Sequence, residues 1–284
     1  MGYKDLAALL VLAAFWGASF LFMRIAAPAF GPVLLVELRV LLAGVALWIY
    51  ARATGEGPVA REHRWHLAVV GVLNSVLPFT LIAAAELVLP ASLAATLNAA
   101  TPLFGAVIAA VWLRERLTLA KVAGLLVGLG GVMLLVGLGP VPLTAPMGVA
   151  IAASLAAALL YAVAAVYTRI HLQGMAPTAS ATYSQLCAAA VLLPAVPFLL
   201  PAAMPGWDAV AAVVFLALAS TAFAYVIYFR LIARVGPVKA TMVTYLAPVF
   251  GMLWGALFLH ETVSPGMGAG FALVVASVLL INRG

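Results

Sequence analysis

A polar and aromatic face lies in the first apolar segment of the chain and could bind a small molecule. Trp16, Ser19, Phe20 and Met23 follow the spacing i, i+3, i+4 and i+7, which places them on one face of a helix. Such a face offers rings to the apolar part of a ligand and a hydroxyl group to its polar part. Contacts between helices would use the same residues, so the pattern leaves lining of a cavity and helix packing both open.

Further polar residues lie in other apolar segments and carry a hydroxyl, amide or phenol group, and Pro78 lies one turn after one of them, Asn74. At such depth in lipid these groups need a polar partner or a water-filled cavity. We predict that they bind substrate together with Trp16 and Ser19, and hydrogen bonding between helices is the alternative. The predicted residues are Asn74, Pro78, Asn98, Tyr161, Gln185, Thr221, Tyr225, Thr244 and Tyr245.

Two prolines, Pro102 and Pro248, lie inside apolar segments that are long enough to be helices. A proline within a helix removes one backbone hydrogen bond and bends the helix. The two prolines occupy equivalent places in a repeat described below. We therefore predict that both act as hinges.

The ionisable residues form no catalytic or metal-binding pattern. The two aspartates, Asp5 and Asp208, fall at helix ends, and the histidines lie near predicted loops, so Ser19 has no base beside it. Cys187 is the single cysteine, which excludes an intramolecular disulfide and a thiolate cluster. We predict no catalytic residue, no metal and no cofactor, and therefore a protein that is not an enzyme.

The elements that carry these residues are apolar helices. Of the 284 residues, 67% are hydrophobic and 8% are charged, against roughly 25% charged residues in soluble domains. The Ala-, Leu- and Val-rich runs lack the alternation of a membrane β-barrel, so the sequence predicts membrane-spanning helices of about 20 residues each. Breaks at Gly, Pro and charged residues give ten helices, α1 to α10, at 6–25, 32–51, 67–86, 92–113, 119–138, 147–168, 178–199, 208–231, 239–259 and 266–281.

The basic residues indicate how the helices are oriented. Short connections make neighbouring helices antiparallel, so successive loops alternate between the two sides of the membrane. Of the 14 Lys and Arg residues, Arg24 and Arg39 fall on one side and the rest on the other, which predicts a multi-pass protein with both termini in the cytoplasm. The cytoplasmic set is Lys4, Arg52, Arg61, Arg64, Arg114, Arg116, Lys121, Arg169, Arg230, Arg234, Lys239 and Arg283.

The basic residues stand singly between apolar runs, which does not indicate binding of nucleic acid. We predict a monomer in a bacterial-type inner membrane, whose partners are the lipid bilayer and a small-molecule substrate.

The chain repeats itself once. An offset of 146 residues aligns Pro102, Phe104, Gly105, Glu115 and Gly124 with Pro248, Phe250, Gly251, Glu261 and Gly270, and an offset of 145 aligns Trp16, Arg24 and Pro32 with Tyr161, Arg169 and Pro177. Each half has five helices, an odd number, so the second half enters the membrane from the opposite side. We predict an all-α integral membrane protein made of two inverted five-helix repeats, 1–140 and 141–284. Such repeats are typical of transport by alternating access.

The run Phe15 to Phe20, together with Arg39 and the segment from Pro102 to Glu115, resembles the EamA-type carriers of the drug/metabolite transporter superfamily. The resemblance covers nearly the whole chain, and the ten-helix plan is similar to that of the YddG-like amino-acid exporters within this family. It implies that α1 to α4 and α6 to α9 surround a central cavity and that α5 and α10 pack behind them. In one respect the chain departs from small multidrug relatives, because its first helix lacks their carboxylate.

The polar residues favour one function over its alternatives. They are hydroxyl, amide and aromatic groups, with no charge at the predicted midplane, so we predict an exporter of neutral or zwitterionic metabolites, foremost amino acids including aromatic ones. A sugar-phosphate carrier would need several basic residues in its cavity, and only Arg39 is available. A multidrug or other metabolite exporter of the same superfamily is the alternative, and a membrane-embedded enzyme is a weaker one.

Overall fold

The computed structural model describes residues 2–55, 59, 61–114, 118–137, 144–236, 240 and 242–283, and these form helices and no strand. The helices are α1 Tyr3–Phe30, α2 Pro32–Ala53, α3 Arg64–Ala85, α4 Ala91–Trp112, α5 Leu119–Gly137, α6 Ala145–His171, α7 Pro177–Phe198, α8 Trp207–Val235, α9 Val243–Leu259 and α10 Pro265–Arg283. Seven of them are long and apolar enough to cross a membrane, while α5, α9 and α10 are apolar but shorter. The predicted ten-helix, all-α membrane fold is thereby confirmed.

The ends of some helices differ from the prediction. α1 was expected to end at residue 25 but continues to Phe30, with Pro28 inside its last turn. It ends at Gly31, whose φ of 72° is readily adopted only by glycine. The glycine rather than the proline therefore ends the helix.

The repeat seen in the sequence recurs in the backbone. A π-helical segment interrupts α3 at Val72–Val76 and α8 at Leu218–Phe223, which is the same place at an offset of 146 residues. Arg114 and His260, also 146 residues apart, end α4 and α9 in the left-handed conformation, with φ of 55° and 54°. The boundary predicted between 1–140 and 141–284 falls within 138–143, outside the described residues, and stays a prediction.

Eight helices pack in a closed order: α1, α8, α2, α7, α3, α6, α4, α9 and back to α1. If each of α1 to α4 is exchanged with its counterpart among α6 to α9, the order of neighbours around the ring stays the same. The remaining helices, α5 and α10, pack along each other and against α4. This arrangement agrees with the supporting role that the resemblance implied for α5 and α10.

Glycines allow two of these helix pairs to approach closely. A Cβ atom at Gly17 of α1 would lie 2.6 Å from the carbonyl oxygen of Ala247 in α9. A Cβ atom at Gly131 of α5 would lie 2.8 Å from the carbonyl oxygen of Gly270 in α10. Both contacts are backbone contacts that a larger residue would break, as expected for helices packed in a membrane.

Candidate substrate-binding site

Arg39 lies where α1, α2, α3 and α8 meet, and its side chain is 3% exposed. Its Nε donates a hydrogen bond of 3.0 Å to Thr221 Oγ1 in α8, and its Nη2 lies 3.4 Å from Ser19 Oγ in α1. Its Nη1 lies 3.5 Å from Met23 Sδ, and the guanidinium carbon stands 3.8 Å above the centre of the Phe79 ring in α3. Four helices thus hold one guanidinium group in place.

The π-segment of α8 sets the position of Thr221. In a regular helix a threonine hydroxyl bonds the carbonyl group three or four residues earlier. Here the wide turn lets Thr221 Oγ1 donate a bond of 2.8 Å to the carbonyl oxygen of Leu216, five residues earlier. The lone pairs of the same oxygen accept the hydrogen bond from Arg39 Nε. π-Turns are frequent at functional sites.

The charge of Arg39 lacks a neighbouring anion within the described part of the chain. Among the residues that the structure describes, no carboxylate lies within ion-pair distance, 4.0 Å, of its guanidinium. The carboxyl group of Glu86, at the end of α3, acts on Arg39 only from farther away. A buried cation in such surroundings is costly unless an anion joins it. The arrangement can therefore bind the carboxylate of a small molecule.

A second polar group lies beside Arg39 and consists of Asn74 in α3, Tyr225 in α8 and Gln185 in α7. Asn74 Nδ2 donates to the Tyr225 hydroxyl oxygen over 3.3 Å, and Tyr225 packs with Ala181 of α7, one turn before Gln185. Tyr161 of α6 makes an edge contact with the Phe79 ring that lies under Arg39, with the ring centres 6.3 Å apart. Asn74, Tyr161 and Tyr225 are not fully covered by the protein, although they lie deep in the bundle.

Six of the predicted substrate-binding residues are brought together around Arg39, namely Ser19, Asn74, Tyr161, Gln185, Thr221 and Tyr225. Trp16 lies one turn from Ser19 and packs on Tyr228, with the ring centres 5.2 Å apart. Pro78 is buried next to Phe79, two residues after the end of the π-segment of α3.

Three predicted residues lie elsewhere. The carbonyl oxygen of Asn98 accepts a hydrogen bond of 2.7 Å from Thr101 Oγ1 at the break in α4. Thr244 is exposed near the start of α9. Tyr245 packs with Leu103 of α4 and Val278 of α10. The structure does not bring these three to the Arg39 site in the state described here.

The predicted hinges share a local feature of the backbone. The amide of Ala99 bonds the carbonyl of Thr96 in α4, and the amide of Tyr245 bonds that of Met242 in α9, each over 3.1 Å. Both bonds span three residues instead of four and end three residues before a proline. α4 is interrupted at 99–100, whereas α9 continues through its proline. The hinge roles of Pro102 and Pro248 stay predictions.

Charged groups also join helices at the end of the bundle where α3 ends and α4 begins. Glu261 Oε1 and Oε2 accept hydrogen bonds of 2.7 and 2.8 Å from the backbone amides of Ala91 and Ser92, so this carboxylate caps α4 from the end of α9. Arg24 of α1 donates to the carbonyl oxygen of Glu86. Glu115, the repeat counterpart of Glu261, lies outside the described residues.

Arg39 and Phe79 were missed as site residues by reasoning from sequence. The signal for Arg39 was present, because no other Lys or Arg lies so far from the ends of a predicted helix. The sequence alone favours a structural pairing for Arg39, because its partners lie on other helices. Phe79 carried no signal, since nothing in its spacing distinguishes it from a packing residue.

Comparison with known proteins gives matches over nearly the whole chain. The profile of the EamA-like transporter family matches residues 4–137 and 148–283. A probable terminal-alkyne amino-acid exporter of Streptantibioticus cattleyicolor is 31% identical over 99% of this chain and 94% of its own length. The uncharacterized inner membrane transporter YedA of Escherichia coli K12 is 27% identical over 98% of this chain and 90% of its own length.

A solved crystal structure has the same fold. It superposes with a TM-score of 0.67 at 21% sequence identity and covers 99% of this chain and 96% of its own. At that identity the likeness concerns the fold alone.

Proposed function

This chain belongs to the EamA-like transporter family and is a membrane transporter, and we propose that it exports amino acids, aromatic ones included. Its relative from Streptantibioticus cattleyicolor is named as a probable exporter of an amino acid, which supports this choice of substrate. We further propose that it works as a monomer and performs no chemistry on its substrate. The distribution of the basic residues supports an orientation with both termini in the cytoplasm.

The observation that carries the proposal is the position of Arg39. A planar guanidinium can hold a carboxylate through two parallel N–H groups, and it does so more strongly where water is excluded. Here its N–H groups rest on the neutral oxygens of Thr221 and Ser19. A substrate carboxylate would replace these weaker acceptors, and the rings of Phe79 and Tyr161 would meet the apolar part of the substrate.

The same position argues against the alternative, a multidrug exporter. Many such substrates are lipophilic cations, which an uncompensated guanidinium repels. Anions with a phosphate group would be served poorly too, because Arg39 is the single cation that the described residues place at this site.

Counterflow in proteoliposomes tests the proposal. Vesicles that contain the purified protein and a high internal concentration of one unlabelled compound are given a trace of labelled L-phenylalanine outside. We expect transient uptake of label driven by internal aromatic and other neutral amino acids but not by a lipophilic cation such as ethidium. Uptake driven by ethidium and by no amino acid would instead favour the multidrug function.

A further inference from the structure

Gln185 occupies in the second half of the chain the place that Arg39 has in the first. Each lies on the second helix of its half. The Arg39 guanidinium stands over the Phe79 ring of the next helix, and Tyr225 of the next helix packs with Ala181, one turn before Gln185. Gln185 and Tyr225 follow Arg39 and Phe79 by 146 residues, the offset of the two π-segments. The starts of α2 and α7 are 145 residues apart, whereas these side chains are 146 residues apart. The two halves of the chain thus place different groups at equivalent positions of the site, a cation in the first half and a neutral amide in the second.

The Gln185 amide is buried without the hydrogen bonds that such a group requires. The residue is 0% exposed, and neither its Nε2 nor its Oε1 has a hydrogen bond of normal geometry. An amide removed from water in this way destabilises the fold unless it gains a partner. A polar group of a ligand would be such a partner, since Gln185 stands beside the partly uncovered Tyr225.

Acceptor oxygens gather around Gln185, whereas Arg39 offers only donors. Asn74 uses Nδ2 on the Tyr225 hydroxyl, which leaves Asn74 Oδ1 able to accept. The Tyr225 hydroxyl and Gln185 Oε1 are further acceptors. Three helices, α3, α7 and α8, therefore present oxygens to one small region. Tyr225 packs with Ala43, one turn after Arg39, and with Ala222, which follows the Thr221 bonded by Arg39, so this region adjoins the guanidinium.

We propose that Gln185, with Asn74 and Tyr225, binds the ammonium group of a zwitterionic substrate while Arg39 binds its carboxylate. An ammonium has three donors and no acceptor, so it suits oxygen acceptors and is repelled by the guanidinium. The two ends of an amino acid are thus recognised by repeat-related positions, and their difference fixes its orientation. This inference rests on the proposed function. It adds that Gln185 makes the protein prefer amino acids over carboxylates that lack an ammonium group.

The test compares L-phenylalanine with 3-phenylpropionate, which lacks the ammonium group. Each is measured in proteoliposome counterflow as the concentration that half-saturates exchange, for the wild type and for Gln185→Leu at matched protein amounts. The wild type should prefer phenylalanine by about 10-fold or more, the size of a hydrogen bond to a charged group. In Gln185→Leu that preference should fall to within about two-fold through weaker phenylalanine binding, with 3-phenylpropionate unchanged.

A matched control is Thr182→Val in the same helix. Thr182 is equally buried, but its hydroxyl already bonds the carbonyl oxygen of Thr178 over 2.8 Å, so its loss should leave the preference as it is. Thermal unfolding in detergent separates binding from folding. Gln185→Leu removes an unpaired amide, so the variant should melt at or above the wild-type temperature. If Gln185 served only to stabilise the fold, the variant would melt at a lower temperature.

The possible failures can be told apart. If phenylalanine and 3-phenylpropionate exchange equally in the wild type, or if Gln185→Leu keeps the preference, the ammonium site is wrong while amino-acid export stands. If no amino acid exchanges at all, the proposed function itself is wrong.

Discussion

Replacing Arg39 tests the substrate anchor most directly. In Arg39→Gln the site loses the charge and the planar pair of N–H groups that would hold a carboxylate, while a polar side chain remains to satisfy Thr221 and Ser19. A hydrogen bond to a charged group is worth about 1.5–3 kcal/mol, which corresponds to about a 10- to 150-fold loss of affinity. Arg39→Lys keeps the charge but loses the planar fork, so we expect a loss between wild type and Arg39→Gln.

The assay is half-saturation of phenylalanine exchange in proteoliposomes, set beside phenylalaninol, in which an alcohol replaces the carboxylate. The loss should appear for phenylalanine and be small for phenylalaninol. The matched control is Arg230→Gln, because the exposed Arg230 also contacts a hydroxyl group, that of Tyr50 at 3.1 Å, but far from the site. Equal losses of affinity for the amino acid and the alcohol would show that Arg39 stabilises the fold and does not bind the carboxylate. Unchanged affinity in Arg39→Gln would refute the proposal that Arg39 anchors the substrate.

Three further predictions concern orientation, hinges and capping. In a Cys187→Ser background, a membrane-impermeant thiol reagent on intact cells should label a cysteine at position 143 and spare one at position 60, both outside the described residues; the opposite pattern would overturn the orientation. Pro102→Ala and Pro248→Ala should shift thiol accessibility between the two sides in opposite directions, because the repeat is inverted, and shifts of equal sign would count against paired hinges. Glu261→Ala removes the cap on Ala91 and Ser92 and should lower the free energy of unfolding by about 1 kcal/mol. The variant should therefore melt at a lower temperature than Glu62→Ala, a control at an exposed carboxylate. An unchanged melting temperature would mean that the cap does not stabilise the fold.

Much of the fold could be predicted because membrane helices are recognised in a sequence by the length and composition of their apolar runs. Apolar runs between charged or Gly- and Pro-containing breaks located all ten helices, and the shared Pro-x-Phe-Gly and Glu pattern revealed the repeat. Helix ends were less accurate, as α1 shows, because Pro28 reads as a helix stop in sequence and is tolerated near the end of a helix. The π-segments could not be read from sequence, since neither Val72–Val76 nor Leu218–Phe223 contains a residue that requires a wide turn.

The composition of the site could be predicted in part. Polar groups at depth were recognised one helix at a time, which identified Asn74, Gln185 and Tyr225. Which of them meet depends on the packing order of the helices, and this order is set by contacts such as Gly17 against the carbonyl of Ala247. Arg39 was undervalued because its partners come from three other helices, and no spacing within α2 indicates them.

The repeat preserves the backbone of this protein more closely than its binding side chains, and alternating access gives a reason. In an inverted repeat the two halves exchange conformations as the site opens to one side and then the other, so features that let helices bend should occur in both. The π-segments of α3 and α8 and the short backbone bonds before Pro102 and Pro248 meet this requirement. A substrate with two unlike ends makes the opposite demand. Arg39 and Gln185, and likewise Phe79 and Tyr225, are unlike residues at repeat-related positions, and they lie where we propose that a zwitterion is held.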